Sequence, residues 1–152
     1  MLTINRFNCR RLGLVKERVA LKFSTAEKRF IDDNEVARFA TMGPHGMPHV
    51  VPVCYVYSSD AFWVATDYGT RKYRNLQRND RVALLVDVGG DSNRGILVQG
   101  RAKIFDKGPE FREIYDVFHG KFDWVRATPW KEGEAPFVRI EPMRKASWGL
   151  EE

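Results

Sequence analysis

The sequence is short of the residues that most often do chemistry by themselves. It has two cysteines, Cys9 and Cys54, which stand far apart and form no CxxC, and three histidines, His45, His49 and His119. None of the five has metal-ligand spacing, which excludes a structural zinc site. Cys54 lies in an apolar strand-like run and reads as a small core residue, and His45 and His49 are expected at the surface. No convincing catalytic dyad, activated serine or cysteine, or paired carboxylates can be picked out. No apolar run approaches the roughly 20 residues that span a bilayer. The N-terminus mixes Arg6, Arg10, Arg11, Lys16, Glu17 and Arg18 with isolated apolar residues, so it lacks a signal peptide's continuous apolar segment, and the cytoplasm is the expected compartment.

What is present is a chain of 152 residues, 43% hydrophobic and 30% charged, the balance of a globular protein with a real core. Its net charge of +5 suits an anionic partner, whether a phosphate cofactor, an acidic substrate or nucleic acid. The basic residues are spread rather than blocked and follow no aromatic strand face, which disfavours nucleic acid.

Residues 1–23 read as a basic arm or helix and 24–152 as one domain. Ser24-Thr-Ala-Glu27 is a capping-box pattern, which predicts a helix from Thr25 to about Asp33 or Asn34. The period then changes to two. Strands are predicted over 36–42, 47–57, 61–66, 81–88, 94–105 and 137–141, with a helix over 70–79 and another from Pro109 to about Phe118. Residues 119–135 read as irregular. Pro48 and Pro52 cannot donate to a ladder, so the second strand must be bulged or unpaired on one side there. Gly100 marks an expected bend. The architecture this implies is mainly β with helices, a barrel of about six mostly antiparallel strands.

The most informative stretch is Thr66-Asp-Tyr-Gly-Thr-Arg-Lys-Tyr-Arg-Asn-Leu76. Thr70 is a good N-cap, yet no Glu stands three residues later, and Arg71 and Lys72 occupy a first turn that disfavours cations. Free N–H groups, a hydroxyl and two cations converging there suit a phosphate. The competing reading is a solvated basic helix.

Pro48-His-Val-Val-Pro-Val53, Gly69-Thr-Arg-Lys-Tyr-Arg-Asn-Leu76 and Val98-Gln-Gly-Arg-Ala102, in this order and spacing, resemble the pyridoxamine 5′-phosphate oxidase-like proteins, the FMN-binding split-barrel group. The resemblance covers about residues 26–106 and resumes near Trp148. It implies a split β-barrel homodimer with cofactor sites at the subunit interface and a small-molecule substrate. It implies further that Val50, Val51, Pro52 and Val53 run beside the flavin ring, largely through backbone groups. Thr66, Thr70, Arg71 and Lys72 would hold the phosphate, Gln99 would approach from the partner subunit, and Trp148 would pack near the ring. The chain departs from the true oxidases where they carry an Arg near the Val51 position, a Lys near Val56 and an Arg after the tail Trp, which argues against vitamin B6 oxidation.

The resemblance thus implies an FMN-binding oxidoreductase with an unassigned substrate. The alternative cofactor is the deazaflavin F420, whose acidic tail would suit Arg74, Arg78 and Arg101 and whose chemistry is reduction. An alternative of another class is a non-catalytic flavin or haem-type redox-sensing module. Phe122, Trp124 and Trp130 are candidates for a substrate pocket or a dimer contact, with core or interface packing the favoured reading.

Overall fold

A computed structural model describes residues 20–151, so the arm assigned to residues 1–23 lies almost wholly outside the described residues. The helices are α1 (Thr25–Asp33), α2 (Arg71–Leu76), α3 (Pro109–Lys121) and α4 (Asp123–Ala127). The strands are β1 (Val36–Met42), β2 (Pro48–Ser58), β3 (Ala61–Ala65), β4 (Arg81–Val88), β5 (Arg94–Phe105) and β6 (Phe137–Trp148). They close into one barrel in the order β1-β2-β3-β6-β5-β4, each neighbouring pair antiparallel.

Period-two alternation sends one set of side chains inward. Phe39, Tyr55, Phe62, Leu84, Ile96, Val98 and Ile140 are almost fully buried in that interior. Each such burial contributes about 1.5–3 kcal/mol. A second apolar cluster lies outside the barrel, where Trp63 and Phe137 meet Phe111, Ile114 and Phe118 of α3 and Val125 of α4. The two barrel ends are closed by helices. At one end α1 buries Phe30 and Ile31, and the Tyr55 hydroxyl donates to the Ile31 carbonyl at 2.5 Å. At the other, α2 buries Leu76, and Asn75 Nδ2 donates to Thr41 Oγ1 of β1 at 3.0 Å.

The barrel is split because β3 is short. Only Tyr55–Ser58 of β2 pair with β3, while Pro48–Cys54 pair with β1 alone. The register with β1 is continuous, so the two prolines are accommodated by an open edge and not by a bulge. Tyr55 N–H donates to the Glu35 carbonyl on the β1 side at 3.2 Å. Strand alternation therefore turns the backbone groups of residues 49, 51 and 53 toward β1 and those of 48, 50 and 52 toward the open edge. Both prolines fall where their missing N–H costs no ladder bond, and the Val50 N–H and the Val50 and Pro52 carbonyls face outward.

Three expectations change. The helix after Thr70 is only six residues long, Arg71–Leu76, and not 70–79. The segment 119–135 is not wholly irregular, since it holds the end of α3 and the five-residue α4, too short to show a period. The last strand runs through Pro142 to Trp148, because the register with β5 shifts at Gln99/Gly100 and a bulge absorbs the proline. Gly100 stands at that register shift, and a Cβ there would overlap the Glu141 carbonyl.

Candidate functional site

The turn leaving β3 builds the site. Ala65 ends its pairing opposite Phe137, and the Thr66 amide is held by the Pro136 carbonyl at 3.0 Å. Thr66 is buried, and its hydroxyl lies 3.0 Å from that of Thr70. Thr70 caps α2 by accepting from the Tyr73 amide at 3.3 Å and donates to the Asp67 carbonyl at 2.8 Å. With the Thr70 proton on the Asp67 carbonyl, Thr66 donates to Thr70, so the Thr66 hydroxyl meets a ligand oxygen as a donor only where Thr70 gives up the Asp67 carbonyl. Arg74 Nη1 closes the turn from behind on the Gly69 carbonyl at 2.7 Å.

With its rear pinned by Asn75 and Leu76, α2 presents Arg71 and Lys72 forward. Arg71 is exposed and Lys72 half-buried, and among the described residues neither makes a hydrogen bond or an ion pair. Burial pulls the Lys72 ammonium below its ordinary value, and Asp67 offsets that only in part. A six-residue helix carries little macrodipole, so attraction for an anion here comes from these two side chains and the Thr66–Thr70 hydroxyls.

Lys72, Asp67 and Thr66 also line a cleft of about 360 Å³ that runs over Ala65 to Trp124, Trp130 and Glu134. The Trp124 and Trp130 rings stack 5.9 Å apart at 5°. Trp130 is fixed by donation from Nε1 to the Ala135 carbonyl at 3.1 Å, and Trp124 is 42% exposed.

The predicted ring-side residues divide by strand face. Val50 and Pro52 are exposed, whereas Val53 is buried and Val51 packs against the interior. Gln99 is an exposed residue of β5, opposite Ala83 of β4 and Arg144 of β6. Trp148 sits at the α1 end of the barrel, where its Nε1 donates to Asn93 Oδ1 at 3.1 Å and its ring lies over Gly95. Within one chain neither residue joins the Thr66 cluster.

Of the arginines suggested for an acidic tail, Arg101 is paired with Asp80 at 2.6 Å and Arg74 is committed to Gly69. His49 is not a simple surface residue, since its Nδ1 is buried without a hydrogen-bond partner. The sequence favours packing over a pocket role for Trp124 and Trp130, yet both line this cleft, because the fold of α4 and the 128–135 loop carries them to Lys72.

The closed antiparallel barrel with an open β2 edge and a hydroxyl-and-cation cluster after β3 defines a split-barrel protein. The pyridoxamine 5′-phosphate oxidase family model matches residues 23–148, and the chain belongs to that family. It is 29% identical over 139 residues to a 5a,11a-dehydrotetracycline/5a,11a-dehydrooxytetracycline reductase of Streptomyces rimosus, with 86% of each chain covered. The fold is shared with a conserved hypothetical protein of Mycobacterium tuberculosis, at a TM-score of 0.70 and 26% identity over 89% of this chain and 93% of that one. It is shared also with an FAD-binding protein of Mesorhizobium loti, at a TM-score of 0.65 and 23% identity over 82% and 94%. The cluster fits a flavin phosphate: two hydroxyls, a guanidinium and a partly desolvated ammonium, the two cations without an ion pair among the described residues, form its donor set. No helix among the described residues is long and apolar enough to cross a membrane.

Proposed function

We propose that the protein is a flavin-dependent oxidoreductase that carries FMN and acts as a reductase on a conjugated small molecule. The observation that carries this reading is the Arg71–Lys72 pair, without an ion pair or hydrogen bond among the described residues, beside the buried Thr66 hydroxyl. A family relative that reduces a dehydrotetracycline supports the direction of the chemistry. A bound flavin supplies hydride or electron transfer. The chain's own residues bind and orient. Thr66, Thr70, Arg71 and Lys72 take the phosphate. The Val50 N–H and the Val50 and Pro52 carbonyls at the open β2 edge face the ring, with Val50 and Pro52 side chains against it.

Val50 is 58% exposed and Met47 70% exposed beside this open edge, an apolar surface that suits a second copy of the chain. We include that homodimer in the proposal. Gln99 and Trp148, remote from the Thr66 cluster within one chain, would then serve the partner's site.

F420 is the second reading. The reductase relative favours it, because a two-electron hydride carrier suits reduction of a conjugated double bond. The commitment of Arg74 and Arg101 to Gly69 and Asp80 leaves Arg78 and Arg71 to meet an acidic tail.

The test is the absorption spectrum of the purified protein, followed by titration with FMN and then F420. An FMN band retained through gel filtration and lost in the Arg71→Ala/Lys72→Ala double variant supports the reading. Tight F420 binding with little for FMN changes the cofactor, and binding of neither removes the proposal.

A further inference from the structure

The helices cover the barrel unevenly. α1 and α2 close its ends, and α3 and α4 lie over Trp63 and Phe137. Among the described residues no helix packs on the remaining wall, formed by the first half of β2, by β1, β4 and β5, and by the tail of β6. The registers fix which outward side chains are neighbours there. One row reads Val50–Ala40–Ala83–Gln99–Arg144, and the next Pro52–Arg38–Leu85–Leu97–Ala146. Beyond the first row lie Met42 and Pro48, and beyond the second Asp87, Gly95 and Trp148. Ala40, Ala83, Leu85 and Leu97 belong to neither apolar cluster. Val36, Met42, Val50 and Trp148 of this wall are four of the eight large apolar side chains exposed among the described residues. So continuous an apolar face marks a contact surface.

The charges indicate its partner. A two-fold axis perpendicular to a sheet sets the face against itself with strand direction and strand order both reversed. β4 is the middle strand of the five, and its outward residues read Arg81, Ala83, Leu85 and Asp87. Turned about a point between Ala83 and Leu85, Arg81 meets the partner's Asp87 and Ala83 meets the partner's Leu85, cation on anion and small on large. Arg81 has no ion pair among the described residues, and Asp87 keeps 28% of its side chain exposed beside Arg38. Reversal of strand order carries the partner's β6 over β2. The partner's Arg144 then stands opposite Pro52, the partner's Ala146 opposite Val50 and the partner's Trp148 opposite Pro48, along the open edge to which the flavin ring is assigned.

We propose that this wall is the dimer face, with its two-fold axis between Ala83 and Leu85 of β4, and that Arg144 crosses it to serve the flavin site of the other copy. The inference rests on the flavin and homodimer reading above and adds to it the face, the axis and a residue. Arg144 is exposed and makes no hydrogen bond or ion pair among the described residues. Its guanidinium supplies donors for the carbonyl oxygens of a flavin ring, beside the single Val50 N–H that the β2 edge offers.

Sedimentation velocity of the purified protein, with FMN titration of the same samples, tests this. A dimer is expected. Leu85→Arg, two copies of which meet near the axis, should weaken it about 100-fold or more. Arg81→Glu and Asp87→Lys should each weaken it about tenfold, and the double variant should restore it. The two positions lie about 20 Å apart on one strand, so only a contact between chains lets one repair the other. Arg144→Ala should leave the dimer intact and weaken FMN binding several-fold. The last arm mixes an Arg71→Ala/Lys72→Ala chain with an Arg144→Ala/Trp148→Ala chain, each a weak binder alone. Exchanged together they should regain about a quarter of the wild-type sites, since half the dimers are mixed and each holds one intact site. Circular dichroism checks that every variant folds. A monomer that binds FMN overturns the face and leaves the flavin site standing. A dimer indifferent to Leu85→Arg, or a double variant that fails to recover, overturns the axis. No regained sites in the mixture overturns the role of Arg144. A dimer that passes the charge exchange yet binds neither FMN nor F420 upholds the face and removes the flavin reading, with the role of Arg144.

Discussion

Helices α1 and α2 begin with the same local device and end in opposite roles. Each has a hydroxyl N-cap, Ser24 or Thr70, that accepts from the third helical amide. At α1 the third residue is Glu27, which accepts from the Ser24 amide at 2.9 Å, from Ser147 at 2.8 Å and from Lys145. The carboxylate there is supplied by the chain itself, and it ties α1 to the far end of β6. At α2 the third residue is Tyr73, which packs edge-on against Tyr68 at 5.2 Å, and the first turn carries Arg71 and Lys72. One entry is closed by an internal anion, and the other carries two cations with no ion pair among the described residues, Asp67 offsetting the burial of Lys72 only in part.

The comparison breaks most visibly if the α2 cations are removed. Arg71→Ala/Lys72→Ala should weaken FMN binding about 1,000-fold, as two charge-assisted contacts of roughly 2 kcal/mol each would require. Its melting temperature should stay close to wild type, since among the described residues neither side chain has a hydrogen bond or ion pair to lose; fluorescence titration and calorimetry separate the two effects.

Glu27→Ala should do the reverse. It strands Lys145 and Ser147 and should cost about 2–3 kcal/mol in urea unfolding, while flavin affinity changes less than about twofold. Burial alone would raise the Glu27 carboxyl, but donation from Lys145, the Ser24 amide and Ser147 holds it below the ordinary 4.5. Its contribution is therefore complete above about pH 4.5 and fades as pH falls through the lowered value. The urea midpoints of wild type and Glu27→Gln should converge under acid; a constant gap would refute the pairing.

Tyr73→Glu sharpens the contrast by giving α2 the carboxylate it lacks. Flavin affinity should fall roughly tenfold as the new anion competes for the first turn, with stability changed by less than about 1 kcal/mol. The smallest effect is expected of Thr66→Val, which removes the buried hydroxyl beside Thr70. About 1 kcal/mol of stability and a few-fold of affinity should go, readable in the same titrations.

Much of this was legible beforehand because it depended on local patterns. The capping box at Ser24–Glu27, the strands 36–42, 81–88 and 94–105, and the Thr66–Lys72 cluster all follow from neighbours in sequence. The family resemblance rested on the same short motifs. The misses were of a different kind. α4 is a five-residue helix with no side-chain cap, so neither period nor capping announces it. β6 continues through Pro142 only because Gly100 on β5 permits the bulge opposite, a condition set more than forty residues away.

By itself the sequence determined the alternation that makes a barrel and the two prolines that blunt one strand edge. It also determined the adjacent cations in the first turn of α2 with no Glu three residues after the cap, because each of these is a property of residues a few positions apart. The tertiary structure alone decided that β3 stops short and exposes that edge, that Trp148 stands at the opposite end of the barrel from Thr66, and that Trp124 and Trp130 wall the cleft beside Lys72. The last two relations join segments some fifty to eighty residues apart, and strand register, set by packing across the whole barrel, is what brings them together or keeps them apart.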